Sequence, residues 1–536
     1  MPARDPAGEI LFVNGPVRTM EPAQELAGAV LVRDRRIAYV GDAAEARRLA
    51  GAGAKVIDLG GRPLLPGFID NHTHFVWGGH HLLGINLRGC ATLQDFRAAI
   101  GAYVARHPEG WVTGGTWDHE AWPGKQLPWR ELIDDVSAGT PVFVQRLDGH
   151  MGLANSLALR LAGITAATPD PEGGIIVRDP ATGEPTGVLK DTAMNILQAV
   201  IPKPSRSQNE RAAFHAMAEA RRQGITSIQD ITMPEDLDVF RELDREEKLT
   251  VRIYTRLPLA GFRDLVDQGI RAGSGSPFLK LGSLKAFSDG SLGSNTAWFF
   301  DPYVNDPSST GLAMDGVLSG ELRQQALEAD RHGLQLSIHA IGDRANDYVL
   351  TLFEEIQAGN PRWERRFRIE HAQHIRPRDV SRFKKLDVIV SAQPYHAIDD
   401  GAWAESRIGK ARLATTYAFR TFYDAGVRVC FGSDWTVAPL DAIAGIYAAV
   451  TRRTLDGKNP QGWIPEQKLS VEEALRCYTI QNAYAAFEEG EKGSITPGKV
   501  ADLVVLSSDL FAVNPVDFRD VNVDLTMVDG EVVYER

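Results

Sequence analysis

Apolar and polar positions along this 536-residue chain fall into two textures. From residue 9 to 65, short apolar runs alternate with turn residues: Ile10–Val13, Ala29–Val32, Arg36–Gly41 and Lys55–Leu59. Short runs rich in β-branched and aromatic residues, bounded by Gly, Pro, Asn and Asp, predict strands. The texture returns at the far end, in Ala501–Leu506, Val523–Val528 and Glu531–Tyr534. The two ends, residues 1–65 and 485–536, are therefore expected to pair as one β domain flanking the middle. Two separate edge ribbons are the alternative.

Between them, residues 66–484 alternate apolar strands with amphipathic helices, the pattern of a parallel α/β fold. The first strand runs from Pro66 through Phe68-Ile69-Asp70 into His72 and His74. Gly224–Asp230, Val251–Arg256, Gly282–Phe287, Leu334–His339, Phe367–His371, Val388–Gln393 and Val427–Asp434 follow, making eight, the number that closes a (β/α)8 barrel. The stretch from about 80 to 205 is too long for one βα unit and is rich in Trp, Gly and Pro. It predicts a strand of its own, Val142–Leu147, and reads as an insertion after the first barrel strand, placed to roof the pocket.

Composition narrows the partners. A hydrophobic content of 43% and a charged content of 24% are ordinary for a soluble enzyme. A net charge of -12 with no dense Lys/Arg block argues against nucleic acid and anionic membranes, leaving a small molecule as the expected substrate. Cys90, Cys430 and Cys477 follow no disulfide-like or C-x-x-C spacing, which fits a reducing compartment. The first residues lack a secretory apolar region, and no apolar run reaches the roughly 18 residues that span a bilayer. The expected location is the cytoplasm.

The candidate chemistry sits at the strand ends. His72 and His74 are spaced i, i+2, so on a strand they share a face. The fourth strand carries Lys285, the fifth ends at His339, the sixth at His371 and the eighth at Asp434. Barrel enzymes gather their catalytic groups at the C-terminal strand ends, so these distant residues can converge on a divalent metal.

This order of residues resembles the amidohydrolase superfamily of metal-dependent hydrolases. The surrounding text is similar to the branch containing N-substituted formamide deformylase-like proteins. The matching segments span essentially the whole chain: Leu65–Asp70, Phe287–Ser294, His339–Ala345, Arg368–His371, Phe431–Asp434 and Gly493–Leu503. The resemblance implies a barrel with a β-sandwich built from both termini. It also implies that His72 and His74 bind the more buried metal and that His339 and His371 hold a second. Lys285 would be carboxylated and bridge the two, and Asp434 would ligate metal and shuttle the proton. A lysine among Leu284, Ala286 and Phe287 favours the neutral amine that reacts with carbon dioxide. Zinc is the first choice of metal, as one ion or two, activating hydroxide to cleave a C–N bond of an amide-like or cyclic amide small molecule.

The same scaffold supports deamination or lactone and ester cleavage, and a non-catalytic binding barrel is disfavoured by the intact ligand set. His150, in a segment matching the family, is expected to reach substrate. Asp289, Tyr395 and His396 are expected to line the pocket from catalytic-face loops. Trp77, Trp117 and Trp122 are candidates for an aromatic pocket or for core packing. A homodimer is the superfamily's habit.

Overall fold

The eight expected strands form one continuous parallel ladder in chain order. The structure is a computed structural model that describes residues 8–119, 122–147, 149, 151–171 and 174–536. The barrel strands are β1 (Phe68–Thr73), β2 (Ile225–Ile231), β3 (Arg252–Pro258), β4 (Leu279–Phe287), β5 (Gln335–Ala340), β6 (Arg368–His371), β7 (Ile389–Ala392) and β8 (Val429–Phe431). Each pairs with its sequence neighbour. Register brings the chemistry to one rim, with Phe287 opposite His339 and Ala340 opposite His371. β8 ends earlier than expected because, after Gly432 makes the last bond to β7 at the Ala392 carbonyl, Ser433 and Asp434 turn to β1 instead.

The terminal strands form two sheets. One has the order Arg36–Gly41, Ala29–Arg33, Ile10–Val13, Lys55–Asp58. The other runs Glu531–Glu535, Val523–Val528, Leu503–Leu506, Leu64–Pro66, Val17–Arg18, Leu26–Ala27 and so joins both ends of the chain. Phe12, Val30 and Val32 of the first pack with Leu64, Leu503, Val505 and Met527 of the second, the buried interior of a sandwich. Buried Arg252, at the start of β3, donates to Asp502 (2.7 and 3.1 Å) and Asp529 (2.9 Å) and ties barrel to sandwich.

Barrel and sandwich belong to one compact unit, the described residues up to Phe75 with Met217–Arg536; Val76–Ala216 form another. In this second unit the sequence predicted one strand, whereas a sheet runs Gly174–Arg178, Pro185–Asp191, Met151–Ala154, Phe143–Arg146, Gly114–Trp117, Ile85–Asn86. Most of the extra strands are short or interrupted by glycine and carry no alternation that marks a strand. Gly115 sits at φ +123° with its missing Cβ site only 2.7 Å from the Gln145 carbonyl oxygen, a contact only glycine allows. Trp117 and Trp122 are buried in this unit's core, stacked on each other, with Phe96 edge-on to the first and tilted against the second. Among the described residues, no helix is long and apolar enough to cross a membrane.

Candidate active site

The barrel closes at the place where its histidines gather. β1 and β8 meet through an isolated parallel bridge, in which the Asp434 N–H donates to the His72 carbonyl (2.7 Å) and the His74 N–H to the Trp435 carbonyl (2.9 Å). A Cβ on Gly432 would lie 2.5–2.6 Å from Asn71 Oδ1, Asp70 Oδ1 and the His72 nitrogen, so a side chain there would hold the strands apart. Asp70 accepts from the N–H groups of His72 (3.0 Å) and Ser433 (3.0 and 3.1 Å). Burial pushes its carboxyl up to about 6, against these hydrogen bonds.

The closure sets the spacing of the first donor cluster. Asp434 Oδ1 lies 3.5 Å from His72 Nε2 and 3.3 Å from His74 Nε2. Ligands at about 2.0–2.1 Å around a tetrahedral ion stand roughly 3.3 Å apart, so these three side chains could hold a divalent cation with little movement. Asp434 takes φ +57°, a left-handed backbone uncommon outside glycine and found where a site over-determines it.

A second cluster adjoins the first. His371, also left-handed at φ +72°, His396 and Asp434 bring one donor atom each within 4.8 Å of one another. The His371 Nδ1–H donates to Gln393 Oε1 (2.8 Å), which leaves Nε2 with the lone pair. The His339 ring centroid is 4.5 Å from that of His371, while its Nε2–H donates to the Gly290 carbonyl (3.0 Å). Lys285 Nζ stands 3.5 Å from His72 Nε2, and burial lowers its ammonium to about 7, Glu370 opposing and Arg256 adding.

Beneath the donors lies an ionic layer that the sequence reading did not single out. Glu370 Oε2 accepts from His72 Nδ1 (2.5 Å) and Ser391 (2.7 Å). Its Oε1 accepts from Ser337 (2.7 Å), Arg256 (2.8 Å) and Arg368 (3.1 Å). Arg256 also donates to the carbonyls of Asn71 and Gln229, and Arg368 to the Asn71 carbonyl, Ser391 and the Gln229 side chain. Burial would raise the Glu370 carboxyl, but Arg256, Arg368 and His72 hold it well below its ordinary value. The layer fixes the His72 tautomer, with N–H toward Glu370 and the Nε2 lone pair toward Asp434. Burial, reinforced by Lys285, depresses His72 to about 3, so its imidazole is neutral. A signal was present in the sequence: Arg368 and Glu370 alternate on a strand whose inward positions should be apolar.

The expected substrate contacts fare differently. Asp289 is fully buried, and its oxygens accept from the N–H groups of Trp298 (2.8 Å), Ile341 (3.0 Å) and Gly342 (2.8 Å). With His339 Nε2 at 3.4 Å, it holds the loop around His339 and has no oxygen turned to a substrate. Tyr395 lines a cavity of about 490 Å³ shared with Arg222, Asp441 and Arg519, to which none of the histidines contributes. His396 joins His371 and Asp434, as described. His150 lies outside the described residues.

The chain matches the amidohydrolase family over residues 55–534 and belongs to it: it is a metal-dependent amidohydrolase. It is 37% identical over 521 residues to the LONG AFTER FAR-RED 3 protein of Arabidopsis thaliana, covering 94% of this chain and 88% of that one. It is 30% identical over 548 residues to an N-substituted formamide deformylase of Arthrobacter pascens, covering 98% of each. The crystal structure of an uncharacterized metal-dependent hydrolase from Pyrococcus horikoshii OT3 superposes with a TM-score of 0.79 at 26% identity, over 95% of this chain and 99% of that one.

Proposed function

We propose that the protein cleaves the C–N bond of an amide-like or cyclic amide small molecule in the cytoplasm, using zinc. His72, His74 and Asp434 would hold one ion and His339 and His371 a second, and Lys285, if carboxylated, would add an anionic ligand between them. The observation that carries this reading is the 3.3 and 3.5 Å spacing of Asp434 Oδ1 from the two imidazole nitrogens. A bound divalent cation supplies a lowered water pKa and polarisation of the scissile carbonyl.

The chain's own groups do the rest. Burial raises the Asp434 carboxyl, and the imidazoles of His72, His74 and His371 more than offset it, so Asp434 is an ionised base. Its oxygen takes the proton of the attacking water and returns it to the leaving nitrogen. Glu370 keeps the His72 ring oriented throughout, while burial and Lys285 keep its imidazole neutral. The Lys285 amine, brought to about 7, has the neutral fraction that carboxylation needs. The deformylase relative favours a carbonyl attached to a substituted nitrogen over ring deamination. Free Cys90, Cys430 and Cys477 suit the reducing location.

Screening N-substituted formamides, cyclic amides, lactones and amino-heterocycles side by side tests the reaction. Amine release with metal loaded, abolished in His72→Ala and His74→Ala together with metal content, is the expected outcome. Full turnover by a metal-free preparation, or turnover of lactones alone, overturns it.

A further inference from the structure

We propose that His396 is a metal ligand, completing with His371 and the far oxygen of Asp434 a second three-donor set for a divalent transition cation. The inference rests on the reading above that the barrel mouth binds metal, and it adds His396 to the residues that would hold the second ion.

Three observations on different atoms converge. The donor atoms of His371, His396 and Asp434 lie within 4.8 Å of one another, and all three residues are buried. His396 Nε2 is buried with no hydrogen-bond partner. An imidazole nitrogen denied both water and a protein partner forfeits about 1–3 kcal/mol, a cost that a cation on its lone pair removes. The carboxylate of Asp434 is divided between the clusters: Oδ1 lies 3.5 and 3.3 Å from His72 and His74 Nε2, and Oδ2 lies on the His371 side, 4.0 Å from the Nδ1 that Gln393 holds.

Local structure explains how His396 arrives there. β7 ends at Ala392, and the helix Pro394–Asp400 begins two residues later at the rim. Gln393, between them, holds the His371 Nδ1–H, and one turn on His396 brings its ring near-parallel to that of His371, at 11° with centroids 6.4 Å apart. A single strand exit thus fixes the tautomer of one donor and supplies the next. The carbonyl of Gly290 engages one nitrogen of His339, whereas Nε2 of His396 has no such engagement. The set also needs no carboxylated Lys285, because its anionic member is already present as Asp434.

Metal-stripped full-length protein titrated with Co²⁺, followed by calorimetry and by visible absorption, tests the assignment. Wild type is expected to take up two equivalents. His396→Ala and the bulkier His396→Gln should each lose or weaken one equivalent by more than the roughly 10- to 100-fold that partners one step removed from a metal contribute. His74→Ala should lose the other equivalent and keep the one that depends on His396. Thermal unfolding of the stripped variants checks that they are folded, and anomalous density should place a scatterer about 2.0–2.1 Å from His396 Nε2. Both His396 variants binding cobalt with wild-type stoichiometry and affinity overturns the proposal while leaving the reading of the site intact. Wild type binding no cobalt overturns that reading as well, and does so before any variant is made.

Discussion

Glu370 and Asp434 are both carboxylates buried at strand ends of the same barrel, and they are kept ionised by different means. Glu370 is fully satisfied by donors, since two guanidinium groups, two hydroxyls and an imidazole N–H converge on its two oxygens. Asp434 sits among imidazoles instead, with Oδ1 3.5 Å from His72 Nε2 and 3.3 Å from His74 Nε2, and these rings with His371 hold its carboxyl well below the ordinary value against burial. A cluster of lone pairs directed at one another is unfavourable unless a cation occupies it. The contrast separates scaffold from proposed site: the lower layer is complete in the polypeptide, and the upper layer is the one that, on the function proposed above, takes metal. One residue joins them, because His72 gives Nδ1 to Glu370 and Nε2 to Asp434.

Breaking the lower layer should have the largest effect on folding. Arg256→Ala takes one guanidinium from Glu370 and a donor from the carbonyls of Asn71 and Gln229 in a site with no water contact, where removal of one partner of a buried ion pair costs about 3–5 kcal/mol. Urea unfolding of metal-free protein should register that loss. A change within about 0.5 kcal/mol, as for an ordinary surface position, would show that the layer does not carry the fold.

The upper layer should behave in the opposite way. His74→Ala removes a half-buried donor whose partner needs a cation more than a hydrogen bond, so the metal-free variant should stay within about 1 kcal/mol of wild type. The deficit should emerge on adding metal. A site filled at 1,000 times its dissociation constant stabilises the native state by about 4 kcal/mol, and the variant should lose that increment. Equal losses with and without metal would erase the distinction between the two layers.

The candidates of the upper layer were legible in the sequence, whereas the lower one left only the alternation of Arg368 and Glu370, for a physical reason. Metal ligands come from a short menu of residue types, and period-2 spacing places His72 and His74 on one side without any knowledge of neighbours. Lys285, His339, His371 and Asp434 then follow from counting strands. A satisfied ionic layer has no such menu: Arg256 and Glu370 are common residues, and only register reveals that they meet. The barrel closure was equally hidden, since the need for Gly432 arises from the approach of Asp70 and Asn71, more than 360 positions away. Asp289 was misread because a loop acid beside a proposed ligand suggests substrate, whereas three backbone N–H groups had already claimed it.

A third carboxyl marks the remaining way to bury an acid, which is to keep its proton. Asp400, at the end of the helix that carries His396, accepts from the Tyr417 hydroxyl (2.6 Å). Burial pushes it up to about 7; the tyrosine hydrogen bond opposes this and Asp399 adds to it. Its value unfolded is about 3.9. The folded state therefore binds more protons between about pH 4 and 7, and stability falls as pH rises through that window. Below the window the acid is neutral in both states and costs nothing; above it the whole penalty is present. Asp400→Asn keeps an oxygen for Tyr417 and removes the titration. Its melting temperature should match wild type below about pH 4 and exceed it by the equivalent of about 1 kcal/mol at pH 8, a modest figure because Asp400 is only partly shielded from solvent. Parallel curves across the range would mean that Asp400 is ionised after all, leaving it no different in kind from Glu370.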